Sequence, residues 1–322
     1  MVERSRKAPF PWFGGKSTVA DYVWRRLGSP KQYIEPFCGS AAILLAAPSP
    51  ASLEVIGDAN CYVANFWRAL KHQPDAVATW QDYPVSHIDL FARHRWLTEP
   101  SRVADLRASL SDADWPGDAK IAGWWLWGQC CWIGAGWCDP ARERRGDGRV
   151  GGDDLGQIPH VSSAGMGVQA VTLGKIPHAS DAGRGDTAAD WLHALAERLS
   201  RVRVIHGDWS RCLNHHYGAE ETAVFLDPPY LSFEKLYSDG SAPVAREVAS
   251  WAADHAHLRI ALCGHRGDYD LPGWDVYEWS RGRRTYSSSK TTDAEAIWFS
   301  PACIGESKVQ SSIFDLLGTV SP

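Results

Sequence analysis

Several features are missing from this 322-residue chain, and each absence removes a class of protein. The eight cysteines contain no C-x-x-C pair and form no regular framework. They read as reduced, intracellular thiols, with no disulfide scaffold. Cys130, Cys131 and Cys138 lie close together with His160 beyond them, but this spacing fits no standard zinc finger. No metal is expected. No apolar signal core follows the basic residues 1–7; Pro9, Pro11 and glycines stand there instead. The uncharged run 121–138 has the length of a membrane span, yet it carries Gly, Trp and Gln and ends against Asp139. It reads as a buried helix followed by a glycine-rich turn, so no membrane is expected and the cytoplasm is the expected location. No excess of positive charge is present either, the net charge being -5. That argues against wholesale coating of nucleic acid but leaves room for a local basic face.

What remains is the composition of an ordinary soluble globular protein, 44% hydrophobic and 22% charged. Gln32–Glu35 reads as a short buried strand, 36–40 as a turn, and 41–47 as the start of a helix. A strand over 53–56 follows, then Gly57-Asp58-Ala59-Asn60 and a helix over 61–72. Strand, glycine turn, helix, strand and acidic residue is the order of a nucleotide-binding βαβ unit. The pattern resumes with a helix over 191–199 and strands over 202–206 and 223–226. A helix over 245–256 and strands over 259–263 and 294–299 complete it. The α/β core is therefore expected in two parts, 1–74 and 189–322, on either side of an inserted, mainly helical and loop-rich segment, 75–188.

The insert carries much of the tryptophan and an arginine-rich turn with Arg142, Arg144, Arg145 and Arg149. It also holds a tandem repeat in which Gly156-Gln-Ile-Pro-His160 recurs as Gly174-Lys-Ile-Pro-His178. Two copies are too few for a solenoid. A duplicated loop and a paired DNA-contacting loop both remain open, since glycine-rich backbone with Arg and His suits phosphate and groove contacts.

The most informative run is Phe225-Leu226-Asp227-Pro228-Pro229-Tyr230. An apolar strand ending in an acid and two prolines puts a rigid, non-helical turn at the carboxyl edge of a sheet, where open α/β folds bind ligands. Proline has no N–H, so the turn offers acceptors, a carboxylate and a backbone carbonyl. Two acceptors that take the hydrogens of a planar exocyclic amine localise its lone pair and aim it at a methyl donor. Tyr230 can stack on a base that has left the duplex.

These residues resemble the [DNS]-P-P-[YF] signature of the Dam-like adenine-N6-specific DNA methyltransferases, and the likeness reaches most of the chain outside the insert. Pro11-Trp12-Phe13-Gly14-Gly15-Lys16 resembles that family's opening motif, which lies against the methionine end of the cofactor; there a cationic Lys16 beside glycines suits a carboxylate, and Trp12 can pack on the cofactor. A P-loop reading of the same glycines fails, because it needs glycine where Phe10 stands and a preceding strand. Glu35-Pro36-Phe37-Cys38-Gly39-Ser40 resembles the family's E-P-F-x-G-x-G cofactor motif, with Ala41 in place of its second glycine.

The resemblance implies a Rossmann-like methyltransferase sheet, S-adenosylmethionine as cofactor, and double-stranded DNA as partner. It implies cofactor contacts from Trp12, Gly15, Lys16, Glu35, Phe37, Gly39, Asp58, Asp208 and Asp227, with Asp227, Pro228, Pro229 and Tyr230 at the reacting amine. Asp58 also has the spacing at which an acid meets ribose hydroxyls in βαβ sites. Asp58 and Asp208 are alternatively placed to cap the helices that follow them. Arg283, Arg284 and Lys290, beside Arg281 and Tyr286, form a basic loop suited to phosphates, as does the Arg142–Arg145 turn. The motif order puts target recognition in the insert. A monomer or weak dimer is expected.

Chemistry narrows the reaction further. A C5-cytosine methyltransferase needs a thiolate, usually in a Pro-Cys doublet, and no Pro-Cys occurs. Attack by an amine needs no covalent nucleophile. Two alternatives remain: another planar amine (cytosine N4, RNA adenine or protein glutamine), or a non-catalytic DNA-binding protein of the same fold.

Overall fold

The computed structural model describes residues 7–12, 14–132, 137–138, 188–213, 221–230, 241–279 and 295–305. Two compact units are present, each discontinuous in sequence. The first comprises Met1–Gly15 and Asp58–Asp208, the second Lys16–Gly57 and Trp209–Pro322. Seven strands occur among the described residues.

Six of these strands organise the second unit. They are β1 (Gln32–Glu35), β2 (Leu53–Asp58, its last residue falling at the unit boundary), β4 (Thr222–Leu226), β5 (Arg259–His265), β6 (Asp275–Trp279) and β7 (Glu295–Phe299). Their order is β2-β1-β4-β5-β7-β6. β1 runs parallel to both β2 and β4, with Gln32 opposite Leu53 on one side and Thr222 on the other. β4 and β5 are parallel, while β7 is antiparallel to β5 and β6. Every residue of β1 and of β4 is buried. This explains why β4 reads as an almost continuous apolar run, a central parallel strand being covered on both faces, while β1 buries Gln32 and Glu35 with its two apolar residues. The arrangement is compatible with the expected Rossmann-like sheet.

Helix α1 (Ala20–Leu27) buries Ala20, Val23, Trp24 and Leu27, the i, i+3, i+4, i+7 stripe that a helix turns toward a core. Arg26 is buried with it. Its guanidinium bonds the Ile304 carbonyl and Asp275 at 2.5 Å each and lies 4.5 Å from the Phe299 ring centre. The short helix α2 (Ala42–Leu45) starts from Ala41, whose φ of 50° and ψ of 33° are left-handed. This is the position at which the family's pattern places glycine, the residue that takes this conformation without steric cost.

The first unit is mainly helical. α3 (Cys61–His72) is capped by Asn60, whose side chain accepts the Tyr62 N–H. α4 (Pro74–Gln81), α5 (His87–Leu97) and α6 (Pro100–Ser109) follow, then α7 (Ala119–Cys131), α8 (Ala188–Leu199) and β3 (Val202–His206). Pro at the first turns of α4 and α6 removes only N–H groups that a helix start leaves unbonded. α7 is buried on most of its surface and starts at Asp118, which accepts the Ile121 N–H at 2.8 Å. Its glycines permit close approach: a Cβ on Gly128 would stand 1.9 Å from the Trp137 ring. Phe10, Phe66, Trp67 and Trp125 form an aromatic core with ring centres 4.9–5.9 Å apart. Most of the tryptophans near 121–138 are thus packing residues, with Trp125, Trp127 and Trp137 buried.

α7 is the buried helix expected in the uncharged run, and no helix among the described residues is long and apolar enough to cross a membrane. All eight cysteines are buried thiols outside any disulfide. Among the described residues no group of three or more His, Cys, Asp or Glu is placed to hold a metal ion.

Candidate active site

The second unit assembles its chemistry at the carboxyl ends of β4 and β5 and the start of β7. Leu226 ends β4, and Asp227-Pro228-Pro229-Tyr230 follows directly. Asp227 Oδ2 accepts a hydrogen bond from Lys16 Nζ at 2.8 Å, and Oδ1 accepts one from the Tyr230 hydroxyl at 3.2 Å. Lys16 is almost wholly enclosed, 3% exposed, and its ammonium also lies 3.8 Å from Glu295 Oε2 and 5.3 Å from the centre of the Tyr230 ring. Burial works against that positive charge. Asp227 and Glu295 outweigh it and hold the ammonium above its usual range.

Tyr230 meets His265 edge-on, with ring centres 4.6 Å apart. Burial, then the negative charge of Asp227, pushes its phenol far above the ordinary range, so it serves as a hydrogen-bond donor. The Cys263 thiol, on β5 and fully buried, is likewise driven upward, first by burial and then by Asp227. It therefore offers no nucleophilic thiolate at neutral pH.

Glu35 closes β1 from the inside. Only 2% of it is exposed, and its Oε2 accepts the Tyr33 hydroxyl at 2.9 Å and the Leu44 N–H at 3.1 Å. Burial raises its carboxyl to about 8; the two hydrogen bonds oppose the shift, and Asp227 and Glu54 add to it. The turn after Glu35 runs through Gly39, whose φ of 45° is left-handed. Phe37, half-buried, and Trp209 lie nearly parallel, at 21° with ring centres 6.4 Å apart.

The remaining expected cofactor residues belong to the first unit. Trp12 is half-buried against Phe10 and Trp125. The Gly15 N–H donates to the Trp12 carbonyl at 3.1 Å and closes a turn. Asp58 ends β2, two residues beyond the strand end read from sequence, and its Oδ1 accepts the Asn60 N–H at 2.8 Å. The capping role open to Asp58 is filled by Asn60. The Gly207 N–H donates to the Asp58 carbonyl at 3.1 Å, so Asp58 and Asp208 stand at adjoining strand ends.

Arg142, Arg144, Arg145, Arg283, Arg284, Lys290 and the repeat over 156–185 lie outside the described residues. Glu295 was not singled out from sequence. Its position opposite His265 in the β5–β7 ladder is what brings it to Lys16, and pairing register has no local sequence signal.

Comparison with known proteins finds that residues 12–92 match the D12 class N6 adenine-specific DNA methyltransferase family. A DNA N-6-adenine-methyltransferase of Escherichia phage P1 is 33% identical over 79 residues, which cover 23% of this chain and 10% of the phage protein. The match thus spans about a tenth of the length of that curated relative. Asp227 and Tyr230 lie beyond the family-matched stretch, whereas Trp12, Gly15, Lys16, Glu35, Phe37, Gly39 and Asp58 lie within it. The similarity to the D12 class N6 adenine-specific DNA methyltransferases thus covers residues 12–92 of the 322.

Proposed function

We propose that the chain is a site-specific DNA adenine methyltransferase, transferring a methyl group from S-adenosylmethionine to N6 of a flipped-out adenine in double-stranded DNA. The observation that carries this reading is Asp227, fixed by Lys16 and Tyr230 on a Pro-Pro turn at the carboxyl end of β4. A carboxylate can accept about four hydrogen bonds, so these two partners leave room for an amine. Asp227 and a prolyl carbonyl would accept hydrogen bonds from the two N6 hydrogens, leaving the nitrogen lone pair to form the new N–C bond as the methyl–sulfur bond breaks, after which one N6 proton would pass to solvent. The ring of Tyr230 offers the flipped base a stacking face.

When bound, S-adenosylmethionine supplies an electrophilic methyl on a positively charged sulfur. The residues suit this group. Phe37, half-buried and backed by the near-parallel ring of the buried Trp209, offers a flat face to a purine. Asp58 and Asp208 present acceptors to hydroxyl and amine donors. Trp12 and the Gly15 turn serve the methionine end, and Glu35 shapes the turn through Gly39 from the inside.

Target recognition we assign to an insert, 75–188, within a catalytic part formed by 1–74 and 189–322. Position and composition support it, and α4 to α7 form its described helical portion. Arg142, Arg144, Arg145, Arg283, Arg284 and Lys290 are assigned to DNA phosphates on their charge alone. The same acceptor pair would serve cytosine N4, RNA adenine or a glutamine amide; the family match over 12–92 favours DNA adenine.

The test is methylation of unmodified duplex DNA with labelled cofactor, followed by nucleoside mass spectrometry. N6-methyladenine is expected from the wild type, with turnover reduced at least ~100-fold by Asp227→Ala. Cofactor affinity in calorimetry should persist in that variant. Label on cytosine, or undiminished turnover in Asp227→Ala, refutes the assignment.

A further inference from the structure

We propose that Lys16 is a positioning residue for Asp227, itself fixed by Glu295, and does not hold the carboxylate of the cofactor. This rests on the methyltransferase reading above and assigns one of its residues a different task. All four participants, Lys16, Asp227, Tyr230 and Glu295, belong to the second unit.

The geometry supplies the argument. An ammonium has three hydrogens to place. One lies on Asp227 Oδ2 at 2.8 Å, and Glu295 Oε2 stands 3.8 Å away. Lys16 therefore already faces two carboxylates from a nearly sealed position. A third carboxylate, brought by a ligand, would place three negative groups around one cation, with the like-charge repulsion falling on Asp227 and Glu295. The ring centre of Tyr230 lies 5.3 Å from the ammonium.

The effect on Asp227 is directional. Lys16 engages Oδ2 and Tyr230 engages Oδ1, so rotation of the carboxylate about its own axis breaks a hydrogen bond at either end. Pro228 and Pro229 restrict the backbone beneath it. Backbone and side chain are thus both pinned, and the remaining lone pairs keep a constant direction toward an incoming amine. Such alignment affects rate more than binding. Glu295, at the start of β7, is a second carboxylate within 3.8 Å of the ammonium and restrains it beside Asp227.

The experiment compares Lys16→Met, Lys16→Arg and Glu295→Gln with the wild type. For Lys16→Met we expect cofactor Kd within about threefold of wild type and single-turnover methyl transfer at saturating cofactor ~100-fold slower. Lys16→Arg should recover about tenfold of that loss, because it restores the ion pair with altered geometry. Glu295→Gln should lie between wild type and Lys16→Met. A Lys16→Met variant whose Kd rises tenfold or more while its saturated rate is unchanged overturns the proposal.

A stability cycle in the ligand-free protein separates this from the function itself. Lys16→Met combined with Asp227→Asn should be no less stable than Lys16→Met alone, since the pair is already lost. Additive losses would show that the two side chains do not interact, whatever reaction the wild type performs. Should Lys16→Met not fold, the Lys16→Arg and Glu295→Gln rates decide: wild-type rates in both refute the proposal.

Discussion

Replacing Glu35 by Gln should flatten the dependence of stability on pH between about 5 and 8. Glu35 is buried, and its carboxyl is pushed up to about 8 from the ordinary 4.5. Below pH 4.5 the carboxyl is protonated in both folded and unfolded chains, and stability does not depend on it. Between 4.5 and 8 the unfolded chain releases this proton while the folded chain keeps it. Stability then falls as pH rises, by about 1.4 kcal/mol per pH unit. Above 8 both states are ionised and the loss is complete.

At pH 7 the loss from this residue is on the order of 3 kcal/mol relative to pH 4. An amide at position 35 does not titrate, and its oxygen can still accept from the Tyr33 hydroxyl and the Leu44 N–H. Its NH2 group enters a buried site and costs about 1–3 kcal/mol if left unbonded. The two effects nearly cancel at pH 7, so a single-pH comparison decides little. The slope decides. Urea denaturation of wild type and Glu35→Gln from pH 5 to 8.5 should give a stability difference that moves in favour of the variant by about 1.4 kcal/mol per unit and levels off near pH 8. Groups common to both proteins cancel in that difference. Parallel curves would refute the claim that burial dominates at Glu35.

Two further substitutions test the backbone reading. Ala41→Gly relieves a left-handed alanine, about 1–2 kcal/mol, but removes a buried methyl, about 0.8, and loosens the unfolded chain by about 0.4–1. The net should stay within about 1 kcal/mol of wild type by chemical denaturation, and a change above about 2 kcal/mol in either direction contradicts this account of the turn. Gly128→Ala places a methyl 1.9 Å from the Trp137 ring. It should destabilise the protein by about 3 kcal/mol or more; an unchanged melting temperature would mean that α7 and Trp137 are not packed as described.

Burial on both faces made much of the fold legible. β1, α3 and β3 have the bounds read from sequence, because Pro36, the cap at Asn60 and Gly207 delimit them. β6 gave no such signal. Its Asp-Val-Tyr-Glu-Trp sequence is largely exposed at the end of the strand order, with Val276 51% exposed, so no alternation marks it. The site divides in the same way. Asp227 and its prolines are visible locally as a strand ending in a rigid turn. That Lys16 pairs with Asp227 is not visible, since 211 residues separate them and only the folded chain brings them together. Ala41 appeared in sequence as a departure from pattern. The structure shows that the turn keeps its left-handed conformation with alanine in place.

The pairing of β1 with β4 also bears on how the chain is made. Gln32 meets Thr222, so β1 emerges from the ribosome 222 − 32 = 190 residues before its partner. At about 5–20 residues per second, one edge of this strand, buried in the finished fold, waits roughly 10–40 s for its neighbour. During synthesis β1 is a sticky, half-finished surface that other nascent chains can reach. Truncations ending before Leu226 should accordingly collect as aggregates, and slower, colder expression with chaperone support should raise the yield of the full chain.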